Sequence, residues 1–70
     1  MMPLTMAKVG EEAAILKITG RDELRQHLAE LGFVVGDMVT VVSELAGSLI
    51  VQVKDSRVAL DRSMASRILV

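Results

Sequence analysis

The feature that most limits how this chain can fold is a change of hydrophobic period around Leu31-Gly32-Phe33-Val34-Val35-Gly36-Asp37. Before it, Leu24, Leu28 and Leu31 recur at i, i+4 and i+7, the single apolar stripe of a surface helix. After it, from Met38, the period is two, as in strands with one face buried. One helix must therefore hand over to a run of short strands within 70 residues. With no cysteine in the chain, neither a disulfide nor a thiolate-bound metal can staple so small a fold. A single small core has to hold it.

Pro3 precedes any regular element, and Thr5 to Val9 fit one helical turn closed by Gly10. Ala13 to Ile18 read as a strand, with Leu16 and Ile18 on one face and Ile15 and Lys17 on the other. Thr19 with Asp22 gives a capping-box pattern at the helix start, and Asp22-Glu23 place negative charge at the positive end of the helix dipole. Beyond Met38, Val39, Val41 and Ser43 share one face while Met38, Thr40 and Val42 take the other. A turn at Ala46-Gly47 leads into alternating Leu49, Val51 and Val53, and Asp55-Ser56 makes a second tight connection to Val58 and Leu60. Asp61 caps a short turn through Met64, and Ile68-Leu69-Val70 form a last strand. The expected architecture is mainly β. Residues 1–70 form one domain, a small SH3-like β-barrel of about five strands with one inserted α-helix.

The two glycines of the hinge segment invite a ligand-binding reading that their context opposes. A dinucleotide fingerprint needs its glycines ahead of a helix, and here the helix comes first. A phosphate loop needs a Lys-Ser/Thr pair, whereas Gly36 is followed by Asp37-Met38. Gly32 instead falls where a helix ends in a left-handed residue, and Phe33 falls where a Schellman motif sets a hydrophobic side chain against Leu28. Gly36 suits the third position of a type II turn from Val34 to Asp37.

Composition narrows the function. A net charge of −1 and a pI near 5.7 leave no basic track for a phosphate backbone, and Phe33 is the only aromatic side chain. Nucleic acid is therefore an unsuitable partner. No run of the chain approaches the ~20 apolar residues of a membrane span, which excludes direct membrane insertion and suggests a cytoplasmic protein. Yet 51% of the residues are hydrophobic and the mean hydropathy is +0.48, more than so small a domain can hide. The surplus points to a protein partner, docked where the helix meets the turn, at Leu24, His27, Phe33 and Val34. Open strand edges could also pair copies of the chain into a homo-oligomer.

Metal binding and catalysis are the two chemical alternatives. His27, the sole histidine, has Glu23 and Glu30 at i−4 and i+3, a donor set suited to weak binding of a divalent transition metal, although a plain solvated face explains the same pattern. Catalysis finds no support: one histidine, no cysteine and turn-bound serines leave no nucleophile motif, so the chain reads as no enzyme and calls for no cofactor.

Taken together, Leu31-Gly32-Phe33 with Gly36, then Ser56-Arg57-Val58-Ala59-Leu60 followed by Ala65 and Ile68, resemble the FeoA family of small cytoplasmic proteins linked to bacterial ferrous-iron uptake. The opening PLTMAKVGEEAAILKI extends the resemblance over nearly the whole chain. It implies an SH3-like barrel without enzymatic activity that acts on the cytoplasmic region of the membrane ferrous-iron transporter FeoB, and a structural ion pair for Arg57. It also implies kinship with the C-terminal domain of iron-dependent repressors, and hence the alternative of a metal-binding or metal-sensing module. One departure stands out. Leu45-Ala46-Gly47-Ser48 replaces the longer loop that many family members carry between the second and third strands.

Overall fold

The computed structural model describes residues 1–70 throughout. A 3-10 turn at Leu4–Met6 is followed by strands β1 (Glu12–Ala14) and β2 (Lys17–Ile18), helix α1 (Asp22–Glu30), strands β3 (Met38–Leu45), β4 (Ser48–Val53) and β5 (Ser56–Asp61), helix α2 (Arg62–Ala65) and strand β6 (Ile68–Leu69). One antiparallel sheet has the order β1-β3-β4-β5, and the second pairs β2 with β6. No helix is long and apolar enough to cross a membrane.

The expected SH3-like architecture is met, with one strand more than expected. The stretch Ala13 to Ile18 does not run as one strand, because the chain changes sheets in its middle. The Ile15 amide donates to Asp37 O at 2.9 Å, while the next amide, Leu16, donates to Leu69 O at 2.8 Å. Ile15 consequently enters the core and Leu16 is left 53% exposed, which breaks the expected alternation of faces. The terminus is also tied in. Met2 and Val70 exchange two backbone hydrogen bonds at 2.9 and 2.8 Å, and Pro3 bridges Leu69. The helical turn expected at Thr5–Val9 forms earlier, with Leu4 buried beneath it.

Twelve side chains are buried, and all are hydrophobic. Val39, Val41, Leu49, Val51, Val53 and Leu60 come from the large sheet, Ile68 from the small one, and Leu28 and Phe33 from the helix and its exit. Between Val41 and Ser43 the register with β4 slips by one residue, so Val41 pairs with Val51 but Ser43 pairs with Ile50. This bulge moves Ser43 off the core face expected for it. Glu44 now stands opposite Leu49 and reaches Arg62 of α2 at 2.7 Å.

The helix exit forms as its residues require. The Phe33 amide donates to Leu28 O at 3.0 Å and the Gly32 amide to Ala29 O at 2.9 Å, the two bonds of a Schellman motif. Gly32 has φ +107° there, and the added methyl of an alanine would meet only Val53, at an ordinary 3.7 Å. The Asp37 amide closes the following turn on Val34 O at 3.0 Å, with Gly36 at φ +97°. Phe33 is thereby latched over Leu28, both with no exposed surface, and its burial contributes about 1.5–3 kcal/mol.

Three local expectations change. Arg21, not Thr19, occupies the N-cap of α1, and no side chain caps it; the Thr19 hydroxyl lies 3.4 Å from Arg67 O instead. The second hairpin turns on Lys54-Asp55, with Lys54 at φ +51°, and Ser56 already belongs to β5. Arg57 makes no ion pair, and its Nε donates to Gln52 Oε1 at 3.0 Å. Asp61 does cap its helix, accepting from the Met64 amide at 2.8 Å.

Three substitutions check these assignments. Gly32→Ala should lower stability in urea unfolding by about 1–2 kcal/mol, from the left-handed backbone alone. Asp61→Ala should lower it by about 1 kcal/mol through the lost cap. In contrast, Thr19→Ala should stay within about 0.5 kcal/mol of the parent, because its hydroxyl caps nothing and its one bond, to Arg67 O, is long at 3.4 Å and exposed.

Candidate functional site

The residues singled out at the helix and turn are distributed between core and surface. Phe33 is removed from any docking surface by complete burial. The geometry that makes it a good latch is what withdraws it: a Schellman motif turns this side chain back against the last helical turns. Leu24 is half-buried and packs against the core, and its Cδ2 lies only 3.0 Å from where a side chain on Gly20 would begin. It serves the fold first. His27 is exposed on α1 and Val34 is 45% exposed on the turn, so these two remain available.

Glu23, His27 and Glu30 are all exposed on α1. No three histidine, aspartate or glutamate side chains of this chain gather in a group that could hold a metal ion in this structure. Helical spacing brings such residues onto one side of the cylinder without making their donor atoms converge. A metal ligand also needs a supporting partner to orient it, and His27 has no side-chain hydrogen bond among those in the structure.

What the fold does assemble is an apolar edge. The Gly36 amide donates to Ile15 O at 2.8 Å, and the Ile15 amide to Asp37 O, so the Val34–Asp37 turn lies alongside the point where the chain changes sheets. Val34 (45% exposed), Val35 (57%) and Leu16 (53%) are thereby brought to one edge of the molecule, and Met38 (44%) follows on the outer face of β3. The sequence reading missed Leu16 and Val35. The sequence places Leu16 with Ile18 on one strand face, and the switch of sheets after Ile15 leaves Leu16 exposed. For Val35 the signal was present, since the two central residues of a turn face solvent.

This edge is held rigidly. Its turn is closed by a hydrogen bond, its entry is the Schellman motif and its flank is the β1–β3 ladder. Ordering it for a partner therefore carries little entropic penalty. Beside it, the outer face of the large sheet has a shallow depression of about 260 Å³ lined by Glu12, Asp37, Met38, Thr40, Gln52 and Lys54. Lys54 Nζ and Asp37 Oδ2 lie 3.3 Å apart at its margin, so polar groups rim the apolar edge. An apolar centre with a polar rim is the anatomy of a protein–protein contact.

Comparison with known proteins agrees with the fold. The chain is 34% identical over 70 residues to a putative Fe(2+) transport protein A of Methanocaldococcus jannaschii, covering all of this chain and 85% of that one. It is 34% identical over 69 residues to a fusion of Fe(2+) transport protein A with the Fe(2+) transporter FeoB in Porphyromonas gingivalis, covering 96% of this chain and 8% of the fusion. Its structure superposes with a TM-score of 0.85 on the zinc complex of Stenotrophomonas maltophilia FeoA, described as a procaryotic SH3 domain protein. That pair is 31% identical, over 99% of this chain and 88% of the other. A model of the FeoA domain matches residues 2–70, and the chain belongs to the FeoA family.

Proposed function

We propose that this protein is a non-enzymatic accessory of ferrous-iron transport that works in the cytoplasm by docking on the cytoplasmic region of a FeoB-type transporter. The observation that carries this reading is the fusion relative, in which a counterpart of this chain and the transporter share one polypeptide. A covalent link of this kind raises the effective concentration of the two parts toward each other, and it is useful when they act together. The apolar edge of Leu16, Val34 and Val35 supplies the contact, Met38 extends it, and His27 is exposed on α1. A tight Ala46-Gly47 turn at the end of β3 takes the place of a longer loop, so the contact does not depend on that loop.

An NMR titration of the labelled protein with the transporter's isolated cytoplasmic region tests partner and face together. Shifts should concentrate at Leu16, Val34 and Val35. Leu16→Asp and Val35→Asp should each weaken binding by about tenfold or more. Both should leave unfolding free energy within about 0.5 kcal/mol of the parent, because these side chains are solvated in the free protein. Leu45→Asp, at the exposed β3–β4 hairpin tip, should bind as the parent does. Absence of binding at high micromolar concentration, with GTP and with GDP, would remove the partner; a loss confined to Leu45→Asp would move the face.

A further inference from the structure

β5 ends the large sheet, and its outer edge is unpaired. The two-residue turn at Lys54-Asp55 makes Val53 and Ser56 the hydrogen-bonded closing pair of the β4–β5 hairpin. The Ala46-Gly47 turn fixes the same phase independently: it makes Leu45 and Ser48 the closing pair, so Ser48, Ile50 and Gln52 turn their backbone groups to β3, and Leu49, Val51 and Val53 turn theirs to β5. On β5, Ser56, Val58 and Leu60 therefore face β4, while Arg57, Ala59 and Asp61 direct their backbone groups away from the sheet. No backbone hydrogen bond outside the β4 ladder involves Arg57, Ala59 or Asp61 as a donor. The other edges are less accessible: the Pro3 bridge covers β6, and β1 is only three residues long.

The residues along this edge are self-complementary. We propose that β5 pairs antiparallel with β5 of a second copy of this chain, in the register centred on Ala59. The outward-facing residues then meet as Ala59 with Ala59 on the two-fold axis, and Arg57 with Asp61 of the second copy on both sides. An isologous contact requires that one patch match itself, and this register places opposite charges across each pair. Shifting it by one step in either direction sets the charges against alanine. Ala59 at the axis is small, neutral and exposed, so two copies meet there without steric or electrostatic conflict.

Both charged side chains have the capacity to spare. Asp61 Oδ1 accepts from the Met64 amide, which leaves its other oxygen free, and only Nε of Arg57 is engaged, by Gln52. Arg57, Ala59 and Asp61 share the outer face of the sheet with Gln52, Ile50 and Ser48, their partners across the β4 ladder. The Asp61 carbonyl serves the first turn of α2 as its N-cap. The joined strands therefore make about four backbone hydrogen bonds, with Ala59 amides donating to Ala59 carbonyls and Asp61 amides to Arg57 carbonyls. So short a contact gives a weak dimer, and the two sheets become one eight-stranded sheet. The proposal rests on the edge alone and holds or fails separately from transporter docking.

Sedimentation equilibrium from about 10 µM to about 1 mM, with amide exchange by NMR over the same range, tests it. The expected result is a monomer–dimer equilibrium in which the Ala59 and Asp61 amides gain protection as concentration rises. Arg57→Glu sets like charges across both pairs and should weaken the dimer by about fivefold or more. Asp61→Lys should do the same, and an equimolar mixture of the two variants should recover association as a mixed dimer. Asp61→Lys also loses a helix cap, so Arg57→Glu, whose side chain bonds only Gln52, decides the matter if the lysine variant fails to fold. A monomer throughout this range would overturn the proposal. So would a dimer indifferent to Arg57→Glu, or one whose Ala59 amide exchanges at the same rate at every concentration.

Discussion

Two consecutive amides, Ile15 and Leu16, donate to carbonyls in different sheets, Asp37 at 2.9 Å and Leu69 at 2.8 Å. At this crossing the chain passes from the large sheet to the small one without an intervening helix, which ties the two sheets together at adjacent residues. The buried Ile15 side chain fills the corner between them, and the turn that receives it is the one that leaves α1. A chain with no disulfide has few other means of making so small a core cooperative. The helix exit reinforces the junction. Its Schellman bonds set Phe33 inward over Leu28, and the next turn carries Asp37 back to Ile15. Core and candidate docking surface are thus two sides of one piece of backbone: Ile15 and Phe33 point in, Leu16, Val34 and Val35 point out.

The elements set by local chemistry could be read directly from the residues. The stripe Leu24, Leu28, Leu31 gave α1; Gly32 and Gly36 gave the stop and the turn; Ala46-Gly47 gave the first hairpin, where both residues adopt positive φ, 51° and 83°. Features set by long-range pairing could not be read in this way. Nothing in Ala13 to Ile18 announces that its partner changes after Ile15, since apolar residues run through the crossing without a break. The bulge at Val42 is equally silent, because Val39, Val41 and Ser43 keep a perfect alternation that the register slip overrides. Thr19 and Asp22 satisfied a capping pattern, but the Thr19 side chain found the Arg67 carbonyl across the molecule. Tertiary contacts won there over local preference.

The same distinction applies to the candidate site. Phe33 and Val34 are neighbours in sequence and opposite in role, one latched at no exposure and the other 45% exposed. A hydrophobic pair on paper does not reveal which member the backbone will turn inward. Glu23, His27 and Glu30 repeat the lesson with polar residues: helical spacing puts them on one element, and spacing alone does not make their donor atoms converge. The exposed apolar edge lies beside β1 and the start of β3, and the open β5 edge is at the other end of the large sheet.

The Ile15–Leu16 crossing makes the two sheets a single cooperative unit that holds the apolar edge in place. Native-state amide hydrogen exchange in low denaturant tests it most directly, by comparing Ile15 and Leu16 with Val51 in the middle of β4. All three amides should exchange only by global unfolding and share one free energy of opening. If Leu16 opened at a free energy lower by about 2 kcal/mol or more while Val51 kept the global value, the small sheet would be a separate unit and the crossing would not couple the two sheets.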